Sequence, residues 1–279
     1  MRFYFIGDMG SGDKHQQSVS DAMNQHIRNY KKQTFVCGLG DNIYDKGCQS
    51  IDDSKFQTHF EIPYSNIPDN IPFYMCLGNH DYGNSETRLN DVQHQIDYSN
   101  HSKKWKLPSN YYKFRKKKPN VIVDFFIIDT NIDLHNKEDI QTQLDTLVEW
   151  IKSSDADWKI VNGHHTWRSV AGHGNAEPIL ETFLSDLFTK APFDVYMCGH
   201  DHTKQFIQTK INNKDVTMIV CGAGGKPYNY KNFFENTPDL LFTSHNLGYG
   251  LCDVKKNNLT FEFKDPHNQT EFKCKIHKI

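Results

Sequence analysis

Short apolar runs recur along the chain, and each ends in a turn of Gly, Asp, Asn or His. Residues 3–6 lead to Gly7-Asp8, 34–39 to Gly40-Asp41, and 73–77 to Gly78-Asn79-His80. Residues 121–128 precede Asp129, 158–161 precede Gly163-His164, and 195–198 precede Gly199-His200. Residues 216–221 precede Gly222-Ala223-Gly224-Gly225. Their length and their β-branched and aromatic content predict largely buried strands. Helical spacing predicts helices over 16–30, 140–152 and 176–190, the last with Pro178 in its first turn, where proline is tolerated. Ile140, Leu144, Leu147, Val148 and Ile151 form the apolar stripe of the second. Strands alternating with helices predict a layered α/β domain. Beyond residue 205 the pattern changes. Residues 206–210, 216–220, 249–254, 259–264 and 271–276 follow one another without a helix, which predicts an antiparallel meander. Lys116-Lys117-Lys118-Pro119 reads as a solvated turn before a strand. With no repeat and no linker-like stretch, residues 1–279 are expected to form one domain.

Composition narrows the function classes. The 279 residues are 37% hydrophobic, enough for a core and too many for a disordered chain. Basic and acidic residues nearly cancel, 32 against 34, so no basic excess marks a nucleic-acid partner. No apolar run approaches the 18 or so residues of a membrane span, so no membrane partner is expected. The seven cysteines lack a disulfide-like spacing and read as reduced, buried thiols. The opening residues read as a strand and not as a signal peptide. A cytoplasmic location is therefore expected, or a secreted or lysosomal one if a leader has been removed. Oligomeric state is not legible. Histidine is abundant, 15 residues. Imidazole is the commonest biological metal ligand.

The placement of the polar residues carries more than their number. In open α/β sheets, ligands bind outside the carboxyl ends of the strands. The turns there hold Asp8; Asp41 and Tyr44; Asn79, His80 and Asp81; His164 and His165; His200 and His202. Carboxylate, amide and imidazole donors without thiolate favour a catalytic cation over structural zinc. Asp8, Asp41, Tyr44, Asn79, His164, His200 and His202 make seven donor residues, more than one ion uses. A bridging carboxylate lets such a set hold two metals about 3.5–4 Å apart, the clamp used for displacement at phosphorus. Gly78-Asn79-His80-Asp81 and Gly199-His200-Asp201-His202 are each rare, a given tetrapeptide arising by chance in about 1 in 600 chains of this length.

These motifs, in this order, resemble those of the calcineurin-like metallophosphoesterases: D-x-[GH], GD-x-x-[YDH], GNH[DE], [GH]H and GHxH. Within that superfamily the sequence resembles the small purple, or tartrate-resistant, acid phosphatases. Tyr44 carries the distinction, since that subgroup has GDNxY with a tyrosine ligand to ferric iron. Here the stretch is Gly40-Asp41-Asn42-Ile43-Tyr44-Asp45-Lys46-Gly47, without the arginine that Ser/Thr phosphatases use to grip phosphate. The resemblance continues through Gln95-Ile96-Asp97-Tyr98, the stretch 105–112 and the stretch 161–174. There are departures: Met9 stands where the family usually has tryptophan, and Thr166 where it often has proline.

The resemblance implies a four-layer α/β/β/α sandwich of two mixed sheets, with a dinuclear metal site at the carboxyl ends of the strands. It implies Fe(III) on Asp8, Asp41, Tyr44 and His202, with Asp41 bridging. A second ion, Fe(II), Zn or Mn, would sit on Asn79, His164 and His200. His80 and His173 would be catalytic, facing the substrate phosphate and the leaving oxygen, with Asp81 orienting His80. His165, in an extended segment, would point to the opposite face. The implied activity is phosphomonoester hydrolysis by a metal-bound hydroxide attacking phosphorus in line, on a phosphorylated small molecule or phosphoprotein. A phosphodiesterase or nucleotide phosphohydrolase is the alternative on the same centre, and a non-catalytic scaffold the alternative of another class. Substrate choice would lie in loops such as 84–89 and 225–232.

Overall fold

The computed structural model describes residues 1–30, 32–83, 88–229 and 239–278. Strands β1 (Arg2–Ile6), β2 (Val36–Gly38), β3 (Phe73–Met75) and β4 (Trp105–Lys106) lie parallel, side by side. The chain then builds a second sheet from β5 (Tyr112–Lys118), β6 (Val121–Ile127), β7 (Trp158–Asn162), β8 (Val195–Cys198), β9 (Lys204–Ile211), β10 (Lys214–Cys221) and β11 (Leu240–Ser244). Its order is β11-β9-β10-β8-β7-β6-β5, with β6, β7, β8 and β10 mutually parallel. Finally β12 (Tyr249–Lys255), β13 (Asn258–Lys264) and β14 (Thr270–His277) return to the first sheet and extend it antiparallel beyond β1. The described α-helices are α1 (Lys14–Tyr30), α2 (Arg88–Asp97), α3 (Lys137–Lys152) and α4 (Pro178–Lys190).

Alternation along each strand sets the layers, because successive side chains point to opposite faces. Phe3 and Phe5 of β1 face the second sheet, and the Phe3 ring meets Phe125 of β6 edge-on at 5.2 Å. Tyr4 points the other way, and its hydroxyl sits 2.9 Å from His26 on α1. On the outer face of the second sheet, Phe126 joins Leu144 and Leu147 of α3 and Phe183 and Leu187 of α4. The result is helix, sheet, sheet, helix: the expected four layers. Local chemistry starts α3 three residues before the predicted 140 and α4 two residues after the predicted 176. Asn136 caps α3 by accepting from the Glu138 and Asp139 amides, and Pro178 opens α4.

Two expectations are corrected. The lysine run is not a turn: Lys116–Lys118 end β5, an edge strand. Charged side chains there discourage edge-to-edge pairing. The Lys116 stem lies along the sheet, and its ammonium reaches the Tyr74 hydroxyl at 2.8 Å. The C-terminal meander is divided between the two sheets, because β10 pairs parallel with β8 while β12 pairs with β1. Helix α2 and strand β11 add to the elements the pattern predicts. No helix among the described residues is long and apolar enough to cross a membrane.

Beside the rim, His135 Nε2 lies 3.0 Å from Asp129 Oδ2. The hydrogen bond to Asp129 raises the His135 pKa against the opposing effect of burial. Burial would lift Asp129, but His135 and Tyr82 hold it low. A raised histidine contributes fully below its unfolded value near 6.5 and loses that contribution as pH climbs through the folded value; the aspartate contribution fades only below about pH 4. His135→Gln is therefore expected to cost roughly 1–2 kcal/mol at pH 6 and clearly less at pH 9. Urea unfolding at the two pH values checks this, and equal losses would refute it.

Candidate metal centre

The two sheets place their carboxyl ends at one rim and contribute different chemistry. The first delivers Asp8 after β1, Asp41 and Tyr44 after β2, and Asn79 and His80 after β3. The second delivers His164 after β7, and His200 and His202 after β8. Oxygen donors thus face imidazoles across the seam. Ligand atoms of Asp8, Asp41 and His164 lie within 4.8 Å of one another, and all three residues are buried. The Tyr44 hydroxyl donates to Asp8 at 2.9 Å and lies 3.2 Å from His202 Nε2. His164 Nε2 is 3.4 Å from Asp41 Oδ1, 3.1 Å from Asn79 Oδ1 and 3.3 Å from His200 Nδ1. All seven donor residues predicted for two ions are brought together.

Backbone geometry aims them. Asp8, Asp41 and His200 adopt left-handed conformations, φ 53°, 51° and 69°. Among the described residues, the other non-glycine residues of this kind are asparagines 212, 213 and 268. Non-glycine residues in this region cost free energy and collect at functional sites. The His200 turn is held by its amide donating to Asp8 Oδ2 at 2.8 Å. A Cβ at Gly78 would fall 2.2 Å from Asp41 Oδ1, and one at Gly199 would fall 2.4 Å from Asp8 Oδ2. The motif glycines are what let these carboxylates press against backbone.

The donor chemistry fits metal ions. His164 Nδ1 faces the Leu39 carbonyl at 2.8 Å and donates to it, which turns Nε2 into the cluster, where a cation would take the place of its proton. Burial opposes the Asp41 charge, yet His164 outweighs it and holds the carboxylate well below its usual range. His164 is in turn raised to about 9, burial being overcome by Asp41. Burial and then the Asp8 and Asp41 charges push the Tyr44 phenol well up. Two buried carboxylates and a buried imidazole converging within 4.8 Å, with a phenol hydrogen-bonded beside them, are a donor set that bound cations would neutralise.

The sequence profile of the calcineurin-like phosphoesterases matches residues 1–204. The chain belongs to this family. Rat tartrate-resistant acid phosphatase type 5 is 34% identical over 270 residues, covering 87% of this chain and 78% of the relative. Purple acid phosphatase 4 of Arabidopsis thaliana is 29% identical over 282 residues, 94% and 79% respectively. Among solved structures, GAP50, the anchor in the inner membrane complex of Plasmodium, superposes with TM-score 0.84 at 22% identity, covering all of this chain and 89% of that one. The yellow lupin purple acid phosphatase PPD1 gives 0.76 at 18% identity, covering 99% and 53%. At those identities the two structures speak for the fold alone.

Within this phosphoesterase frame, several residues depart from the sequence reading. Asp81 does not hold His80. Its buried carboxylate accepts from the amides of Gly78 (2.8 Å), Asn42 (3.0 Å) and Ile43 (3.2 Å) and from the Asn42 side chain. Burial, and next the Asp41 charge, raise it to about 7. His80 Nδ1 is instead held at 2.7 Å by the Asp45 carbonyl. His165 does not face away: residues 163–169 turn instead of extending, and its ring lies 4.5 Å from that of His200. Its Nδ1 meets Thr130 Oγ1 at 2.8 Å, and burial, with the His164 charge, lowers it to about 3. The exposed His173 does reach the site, its ring 4.0 Å from that of His200. Asp201 was not singled out by sequence, although it lies between two ligand histidines. It accepts from the His173 amide at 2.9 Å and from the Ser169 hydroxyl, tying the His173 loop to the His200 turn. Beside these histidines opens a groove of about 330 Å³, lined by His165, His173, His200, Asp133, Glu177 and Ile179. Of the loops expected to choose substrate, residues 84–87 and 230–232 lie outside the described residues.

Proposed function

We propose that this phosphoesterase-family protein hydrolyses phosphate monoesters of small molecules or phosphoproteins. The observation that carries the reading is the convergence of seven donor side chains from two sheets, with His80 and His173 at their edge. In this reading Asp8, Asp41, Tyr44 and His202 would hold a ferric ion, Asp41 would bridge, and Asn79, His164 and His200 would hold a divalent iron, zinc or manganese ion. When bound, the pair would neutralise phosphate oxygens and acidify a water. The protein's own groups then do the rest. The Asp45 carbonyl fixes His80 toward the phosphate. Asp201 anchors the loop that presents His173 to the leaving oxygen, where a positioned proton donor contributes about 10²–10⁴-fold. The groove beside His173 has both acidic and apolar lining, room for the leaving group of an aryl or alkyl ester.

The test is hydrolysis of an aryl phosphate across pH by the metal-loaded protein, with a bis-aryl phosphate in parallel. The monoester is expected to turn over faster, with an optimum below neutrality. Preference for the diester would favour the phosphodiesterase alternative; no turnover of either would favour the scaffold. The visible spectrum gives a separate check. Tyrosinate-to-iron(III) charge transfer should colour the protein, and Tyr44→Phe should remove that band. Colour that survives Tyr44→Phe would refute the iron assignment.

A further inference from the structure

We propose that Lys226 is a phosphate-gripping residue of this site, supplying the cation that the Gly40–Gly47 stretch lacks. The proposal rests on the monoesterase reading and names a further group that touches its substrate.

Lys226 follows the Gly222-Ala223-Gly224-Gly225 turn after β10, and the backbone on both sides of it is fixed to the metal centre. The Gly224 amide donates to the Gly7 carbonyl at 3.1 Å, next to Asp8. A Cβ at Gly225 would lie 2.9 Å from the Met9 carbonyl, so this turn is pressed onto the Asp8 turn. The Pro227 carbonyl accepts from the imidazole of His202. Between these anchors the Lys226 ammonium lies 4.5 Å from the centre of the Tyr44 ring and 3.3 Å from Asp45 Oδ1. The same Asp45 holds His80 through its carbonyl, and the His80 and Tyr44 rings are 4.5 Å apart. Lys226 and His80 are thus two nitrogen-bearing side chains fixed through one residue against one ring at the mouth of the site.

The Asp45 pair does not by itself account for the placement. Asp45 is 74% exposed and Lys226 31%, and an ion pair so open to water adds little stability. An ammonium has three donors, of which the Asp45 carboxylate uses one. A compact cation with donors to spare, beside a ring whose hydroxyl touches Asp8, suits a phosphate oxygen turned away from the metal ions. The Gly40–Gly47 stretch after β2 lacks the arginine by which Ser/Thr phosphatases, unlike this chain, grip phosphate there. Here the loop after β10 carries the cation.

Inorganic phosphate is the probe. Binding to the metal-loaded, full-length protein is measured by calorimetry for wild type, Lys226→Met and Lys226→Arg, with thermal melting of each without phosphate. Lys226→Met is expected to weaken phosphate binding about tenfold, the effect of one partly solvated charge-assisted hydrogen bond. Lys226→Arg is expected to retain affinity within about threefold, and all three should melt alike. Phosphate binding by Lys226→Met within twofold of wild type would overturn the proposal, as would a variant that shifts only the Tyr44 absorption band. If wild type hydrolyses aryl phosphate but the variants bind phosphate equally, the gripping role alone fails. If wild type neither hydrolyses the ester nor binds phosphate, the monoesterase reading itself fails.

Discussion

Asp41→Asn is expected to lower aryl phosphate turnover by about 10³-fold or more while leaving the fold intact. Asp41 occupies the seam between the two donor sets. Its Oδ1 is 3.4 Å from His164 Nε2, and its Oδ2 is 4.0 Å from His80 Nε2. It also accepts from the His80 amide at 2.9 Å. A bridging role asks one side chain to satisfy two cations with a full negative charge and two oxygens. Asparagine preserves shape but offers one oxygen and no charge. It also tolerates the left-handed backbone at φ 51° as readily as aspartate does, so the substitution isolates charge from conformation. Metal content by elemental analysis and turnover, measured together, check the assignment. A variant that keeps two ions and a tenth of the activity would sink it.

Asp81→Ala is expected to act on stability. The carboxylate is fully buried and accepts four hydrogen bonds from two separate loops, those carrying Asn42 and Gly78. Removing it leaves several buried donors without a partner, each costing roughly 1–3 kcal/mol, so a total loss of about 3–5 kcal/mol is expected. Because the same amides shape the turns that present Asp41 and Asn79, metal affinity should fall with stability. Asp81→Asn, which keeps an acceptor in place, should lose less. Denaturant unfolding of both variants is the measurement. If Asp81→Ala unfolds within about 1 kcal/mol of wild type and alters only the pH profile of turnover, the carboxylate acts on His80 after all.

Much of the site was legible because its signals are local. A strand that ends in Gly-Asp or Gly-His announces a turn, although the atoms that require the motif glycines lie far along the chain, Asp41 against Gly78 and Asp8 against Gly199. The seven donor residues could therefore be named from spacing and resemblance. The positions misread or missed share a different origin. Asp81 was assigned to its sequence neighbour His80, but its partners are 38 and 39 residues distant as well as at Gly78. His165 was turned away on the assumption of an extended segment, and a hydrogen bond to Thr130, 35 residues earlier, places it otherwise. Lys226 lies in the loop 225–232 expected to choose substrate, but the pattern does not single it out, because its placement depends on Gly7, His202 and Asp45 together.

The split of the C-terminal strands has the same cause. Residues 249–254 alternate as strand whichever sheet receives them, and only the pairing of Tyr4 with Leu251 and Phe5 with Gly250 assigns them to the first. By itself the sequence determined most of the elements, the turns that close the parallel strands and the donor types at those turns, since backbone preference and side-chain periodicity act over a few residues. The tertiary structure decided which turns meet, which face each imidazole presents and where the Lys226 ammonium stands, because those depend on hydrogen bonds and packing between segments far apart in the chain.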